Sequence, residues 1–189
     1  MRLILASASP RRVDLLRAAG MTFDVIATDV DEGVLDDETP AAYVERLARA
    51  KAEAAASQAG DNDAFVIAAD TAVVVDGEIF GKPVDEADAV RMLRRLSGRT
   101  HDVLTGVAVA RAGRLQSFVD RTRVWVRPLE EAELAWYVAS GEPMGKAGAY
   151  AIQGLASRFI PRIEGSYATV VGLPVARVCD VLDEPGAGI

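Results

Sequence analysis

Cysteine and histidine are almost missing from this chain. One cysteine, Cys179, in 189 residues excludes an intramolecular disulfide and with it a disulfide-stapled secreted scaffold. Cys179 falls in the apolar run PVARVCDVL and reads as a buried small hydrophobe. One histidine, His101, excludes a multi-histidine metal centre, and no serine has a supported histidine partner for a nucleophilic triad. His101 itself, in RTHDV at a strand start, reads as structural. Positive charge is in deficit, with 21 Lys and Arg against 28 Asp and Glu and a net charge of −7, which argues against a nucleic-acid surface. Apolar runs are short: none approaches the length that spans a bilayer, and the run at 3–6 meets charge too soon for a signal peptide. A cytosolic soluble protein with no membrane partner is the expectation. The two tryptophans, Trp125 and Trp136, read as core or interface aromatics rather than base-stacking platforms. GxxxxGK[ST] is absent, so this is not a P-loop protein.

What is present is ample apolar material. Half the residues are hydrophobic, enough for a packed core, and the length fits one domain over 1–189. The pattern predicts a strand in RLILAS, a helix from Pro10 stopped by Gly20, and a strand over 23–28. An acidic loop follows, then a helix from the Thr39 cap to about Ser57. AFVIAAD predicts a strand ending on Asp70, and VVVDGEIF a hairpin turning at Asp76-Gly77. Asp85 caps a helix over 86–97. Two long strands, TGVAVARAG and RLQSFVDRTRVWVRPL, turn near Ala112-Gly113, with Phe118, Arg121, Arg123, Trp125 and Arg127 on a solvated face. Glu130–Ser140 reads as a helix, 145–172 as loops with short strands, 174–182 as the last helix and EPGAGI as a frayed tail. Interleaved strands and helices with central hairpins give an α/β domain around a mixed sheet.

Four segments carry candidate chemistry. In LILASASPRR, a strand stops at a tight loop and a helix begins at Pro10, with Ser9 placed as its cap and Arg11 and Arg12 in its first turn. Amide N–H groups, the helix dipole and two guanidiniums then meet at one point, which suits a phosphate; an ordinary capped helix with solvated arginines is the other reading. The second segment is Asp29, Asp31 and Glu32. The third is Asp70 with Thr71 after it, and the fourth is Lys82 in GKP. Ser7, Asp29 and Asp70 all follow apolar runs, where ligands bind in open α/β sheets. Lys51 falls on the inward stripe of its helix, with Val44, Leu47, Ala48 and Ala55. It must either snorkel outward or meet an anion. Asp31, Asp36, Asp37 and Glu38 read as solvated loop charges. Two arginines and two lysines to neutralise a polyphosphate, with carboxylates to hold a divalent metal or activate water, describe metal-assisted phosphoanhydride hydrolysis.

LASASPRR, VDE at 30–32, RLARAKA around Lys51, AADT at 68–71, GKP at 81–83, AGAYAIQG at 147–154 and GSYATVVGLP at 165–174 together resemble the Maf family of nucleotide pyrophosphatases. The likeness runs along the whole chain in order. It implies an elongated mixed sheet flanked by helices, with two lobes and a central cleft as in inosine-triphosphate pyrophosphatases of the Ham1 kind. It implies cleavage of a nucleoside triphosphate substrate between its α and β phosphates, a divalent metal cofactor (Mg²⁺ or Mn²⁺) and a homodimer. Asp70 matches the family's proton acceptor. Ser7, Arg11, Arg12, Glu32, Lys51 and Lys82 match its phosphate- and metal-handling set, with Glu32 and Asp70 as metal ligands. Arg11 directly after the proline, Thr71 and Gln153 resemble the subgroup acting on dTTP and UTP rather than the one acting on 7-methyl-GTP. A nucleotide-binding regulator of septum formation without turnover is the alternative.

Overall fold

The computed structural model describes residues 2–183, so the EPGAGI segment lies outside the described residues. Among them, seven strands form a mixed sheet: β1 (Leu3–Ala6), β2 (Asp24–Val25), β3 (Phe65–Val75), β4 (Glu78–Phe80), β5 (Thr100–Arg111), β6 (Arg114–Trp125) and β7 (Arg162–Glu164). Their order is β2-β1-β3-β5-β6-β7, with β4 paired to β3. The helices are α1 (Pro10–Ala18), α2 (Pro40–Ala59), α3 (Glu86–Leu96), α4 (Glu131–Ala139), α5 (Tyr167–Val171) and α6 (Val175–Asp183). The chain divides into two compact units. The first comprises Met1–Asp70, Thr105–Asp120 and Gly172–Ile189; the second comprises Thr71–Leu104 and Arg121–Val171.

The first unit is built on β1, which lies parallel to both β2 and β3, with Ile4 opposite Asp24 and Ala6 opposite Ala68. All four residues of LILA are buried, as expected of a parallel strand covered on both faces. Alternation sorts them. Leu3 and Leu5 join Phe65, Ile67 and Ala69 in a core that takes in Leu16 of α1 and Val178 and Val181 of α6. Ile4 and Ala6 face the other way with Val66, Ala68, Ala108 and Ala110, against Ala48, Ala52 and Ala55 of α2. That second layer is nearly all alanine, so α2 sits close to the sheet. At Gly106 the approach is closest: a Cβ there would lie 2.3 Å from the Val44 carbonyl oxygen, a separation no side chain tolerates. Thr39 caps α2 by accepting from the Ala42 N–H (3.2 Å), and Gly60, at φ 62°, ends it.

In the second unit β3 and β4 turn through Asp76 and Gly77, both at positive φ as a tight hairpin requires. Asp85 caps α3 by accepting from the Asp88 N–H at 2.7 Å. Glu130 and Glu133 form a reciprocal capping box on α4. His101 is buried, with its Nε2 2.8 Å from the Tyr150 hydroxyl and the two rings edge to face. It is structural here, and burial pushes its pKa down to about 4.

Several expectations change. The strand over 23–28 shrinks to Asp24–Val25. β3 does not stop at Asp70 but runs on to Val75, and β5 starts at Thr100 rather than Thr105. The 145–172 region holds short helical pieces among its loops: 3-10 turns at Ala147–Ala149 and Leu155–Phe159, then α5, with β7 the one strand described there. On β6, Arg121 and Arg123 are exposed while Thr122 and Val124 are buried, but Phe118 packs against the core with the Arg177 guanidinium over its ring. Cys179 is half-buried rather than buried, and Trp136 is exposed under the Arg158 guanidinium.

The neutral, buried His101 gives the fold a pH dependence. An unfolded chain protonates it near its ordinary value of 6.5, while the folded chain resists until about 4. Stability is therefore whole above pH 6.5 and falls by ~3 kcal/mol as pH drops through that window. Urea midpoints at several pH values should show a shallower acid loss in His101→Gln than in the parent; parallel curves would remove His101 from the account.

Candidate active site

The parallel pairing of β1 with β3 ends at Ala6 and Ala68, and Ser7 and Asp70 come just beyond it. Alternation puts Asp70 on the same side of β3 as Val66 and Ala68, the side that faces α2. On α2, Lys51 shares its stripe with Ala48, Ala52 and Ala55. A lysine on the alanine face and an aspartate on the strand below it therefore meet: Lys51 Nζ donates to Asp70 Oδ1 at 2.7 Å and to Glu32 Oε1 at 2.6 Å. Of the two alternatives for Lys51, snorkelling is excluded, since the side chain is only 11% exposed. The anion it meets is a pair of carboxylates. Asp70 is equally covered, at 12%, whereas Glu32 is half-exposed.

The start of α1 closes on this pair, though not as its sequence predicts. Ser9 occupies the cap position, but its hydroxyl makes no capping bond. Ser7 takes the local role instead: its Oγ accepts from the Ser9 N–H (3.2 Å) and from Arg12 Nη1 (3.1 Å). Arg12 is held from a second side, where its Nε donates to the Gly172 carbonyl at 2.8 Å. Burial depresses the Arg12 pKa; the Asp70 and Glu32 carboxylates oppose that and the neighbouring Arg11 adds to it. Arg11 is half-buried with no ion pair or hydrogen bond among the described residues, and desolvation lowers its pKa too. Ser7, Arg11, Arg12, Glu32, Lys51 and Asp70 thus form one charged cluster in the first unit: two carboxylates, three cations and a hydroxyl.

Thr71, Lys82 and Gln153 belong to the second unit. Lys82 is exposed on the segment after β4, where the Gly81 carbonyl accepts the Gly148 N–H at 3.0 Å. Gln153 is exposed too, between the two short 3-10 turns.

The Maf-like protein family model matches residues 2–185. This chain belongs to the Maf family. It is 55% identical to the dTTP/UTP pyrophosphatase of Geotalea uraniireducens over 187 residues, covering 98% of this chain and 95% of that one. With the dTTP/UTP pyrophosphatase of Geobacter sulfurreducens it shares 53% identity over 189 residues, 98% of this chain and 97% of the other. Among solved structures it is similar to the Ham1 protein of Staphylococcus aureus, with 21% identity, a TM-score of 0.49 and coverage of 67% of this chain and 72% of that one.

Two residues of this Maf chain support the site without having been picked out from the sequence. The Tyr43 hydroxyl donates to the Glu32 carbonyl (3.0 Å), and burial together with the Asp70 and Glu32 charges pushes its pKa up to about 12. Arg46 donates to the Gly33 carbonyl (2.8 Å) and forks onto both oxygens of Glu38 at 2.6 and 2.8 Å. Glu38 is therefore no solvated charge, its side chain being only 7% exposed, whereas Asp31, Asp36 and Asp37 are exposed as expected. Tyr43, Arg46 and Lys51 rise along one helix, so α2 fixes both the base of the acidic loop and its carboxylate.

Removing one partner of a buried ion pair leaves the other charge stranded. Lys51→Ala should therefore cost about 3 kcal/mol in urea unfolding. Adding Asp70→Asn should recover part of that, since the stranded charge is then gone. Additive losses would show that the two groups are not coupled.

Proposed function

We propose that this Maf protein is a nucleoside triphosphate pyrophosphatase that converts dTTP and UTP to the monophosphate and pyrophosphate in the cytoplasm. What carries the reading is the Lys51–Asp70–Glu32 cluster beside two arginines, in a chain more than half identical, over nearly its whole length, to proteins named for that activity. Arg11 and Arg12 supply fixed positive charge for the phosphates, and Arg12 is already oriented by Ser7 and Gly172. The Lys51 ammonium holds Asp70 in place by donating to its Oδ1 at 2.7 Å. Water attacks the triphosphate, its proton passes to Asp70, and the α–β anhydride breaks with pyrophosphate as the leaving group. The resemblance gives Lys82 a phosphate-handling role and gives Thr71 and Gln153 a role in base selection. An amide such as Gln153 both donates and accepts, which matches a pyrimidine edge.

The carboxylates suit a divalent metal. Oxygens of Glu32 and Asp70 converge on one ammonium at 2.6 and 2.7 Å, so they lie close enough to share a cation. No group of three or more His, Cys, Asp or Glu able to hold a metal occurs among the described residues. Glu32 and Asp70 would hold Mg²⁺ or Mn²⁺ with substrate oxygens and water completing the set, the usual arrangement for Mg²⁺. When bound, such an ion neutralises phosphate charge and polarises the scissile anhydride. The homodimer that the resemblance implies belongs to the same proposal.

The test is pyrophosphate release from dTTP, UTP, CTP, GTP, ITP and 7-methyl-GTP, with Mg²⁺ or Mn²⁺ and with chelator. Turnover of dTTP and UTP should need the metal and fall by about 10²–10⁴-fold in Asp70→Asn. Release from purine nucleotides alone would keep the chemistry and overturn the substrate reading. Binding without release would overturn the enzyme and favour a nucleotide-responsive regulator.

A further inference from the structure

Gln153 sits on a short segment that two distant side chains hold from both ends. On one end, the Ala151 N–H donates to the Tyr137 hydroxyl oxygen at 3.3 Å. On the other, the Leu155 N–H donates to Glu142 Oε2 (2.9 Å) and the Ala156 N–H to Glu142 Oε1 (3.2 Å). The ends are joined, because the Tyr137 hydroxyl donates to Glu142 Oε1 at 2.8 Å. One carboxylate thus accepts three hydrogen bonds and caps the 3-10 turn Leu155–Phe159, which has no side-chain cap from its own N-terminal residue, Gly154.

The clamp explains the glycine that follows Gln153. A Cβ at Gly154 would lie 2.1 Å from Glu142 Oε2, so the carboxylate occupies the space a side chain would need. Tyr137 is itself closely packed: it is fully buried in α4, with Phe159 edge to face on its ring at 5.5 Å. Glu142 follows the end of α4, where its own N–H donates to the Ser140 hydroxyl at 3.2 Å. Gln153 is exposed between the fixed points.

We propose that Tyr137 and Glu142 are positioning residues for base selection: they hold the backbone on both sides of Gln153 so that its amide meets a pyrimidine edge in one register. The proposal rests on the reading that Gln153 contacts the base. A recognition group must be held to within about 0.5 Å to discriminate, and a loop residue achieves that only through supporting hydrogen bonds. Their side-chain hydrogen bonds join them to each other and to the backbone around Gln153, so loosening the clamp should weaken base reading and leave the chemical step nearly intact.

The experiment compares kcat and KM for UTP and GTP in the parent, Glu142→Gln, Tyr137→Phe, Gln153→Ala and the Glu142→Gln/Gln153→Ala pair. The expected result for Glu142→Gln is a UTP KM about tenfold higher with kcat nearly unchanged, and a matching fall in the UTP-over-GTP ratio of kcat/KM. In the Gln153→Ala background the second change should add little, because both act through one contact. Tyr137→Phe, close to the parent in shape, should give a smaller effect of the same kind and carries the test if Glu142→Gln does not fold. Equal loss of kcat on both nucleotides, or full additivity with Gln153→Ala, would mean the clamp only supports the fold and would overturn the proposal. If Gln153→Ala itself keeps the parent ratio, the base-contact reading fails, and the proposal with it.

Discussion

The buried ammonium of Lys51 is the constraint around which the first unit is arranged. A lysine on an inward helical stripe is tolerable only where anions meet it, and the chain brings two, from a strand and from a loop. Each partner needs the other. Asp70 is buried beyond the end of the β1–β3 pairing, where a polar group needs a partner. The pairing also explains the composition of the layer above. Alanine at positions 48, 52 and 55, and glycine at 106, keep α2 near enough to the sheet for a lysine side chain to reach the strand. Bulkier residues would lift α2 and separate the charges.

Local charge runs against the charge of the whole chain. The protein carries a net −7, yet the cluster holds Arg11, Arg12 and Lys51 against Glu32 and Asp70, an excess of one positive charge. A polyanion approaching from solution is repelled at long range and attracted only within about a Debye length of this point. The excess rests on Arg11, the cation with no ion-pair partner among the described residues; Lys51 is committed to carboxylates and Arg12 to Ser7 and Gly172. Arg11 is partly buried, and that desolvation lowers its pKa.

Much of this was legible in the sequence, and the rest was hidden for identifiable reasons. Capping residues and positive-φ turns are local chemistry, so Thr39, Asp85, Asp76-Gly77 and Ala112-Gly113 stand where expected. Lys51 was conspicuous because helical periodicity placed a charge among alanines. The end of β3 is hidden because Asp70 interrupts an apolar run, and a polar residue inside a strand looks like its terminus. Parity still carried the aspartate to the α2 side. Partners on different elements give no signal: nothing near Glu38 announces Arg46, and nothing near Gln153 announces Glu142. In the 145–172 region the glycines concealed helical turns, whose bonds depend on side chains elsewhere.

The motif at 165–174 contains no residue assigned to the chemistry, yet Arg12 gives it a reason to be there. Gly172 offers its carbonyl to Arg12 Nε from a backbone at φ 129°, a conformation that glycine adopts far more readily than other residues. Leu173 then enters the core beside Leu5 and Leu16, and Val178 of α6 packs there as well. One glycine therefore joins two tasks, turning the chain into its last helix and fixing the guanidinium 160 residues earlier. The unused capping hydroxyl of Ser9 fits the same arrangement. With Ser7 and Gly172 holding Arg12, and no Ser9 cap bond closing the start of α1, the first-turn amides stay uncapped by that side chain, as an anion at a helix N-terminus requires.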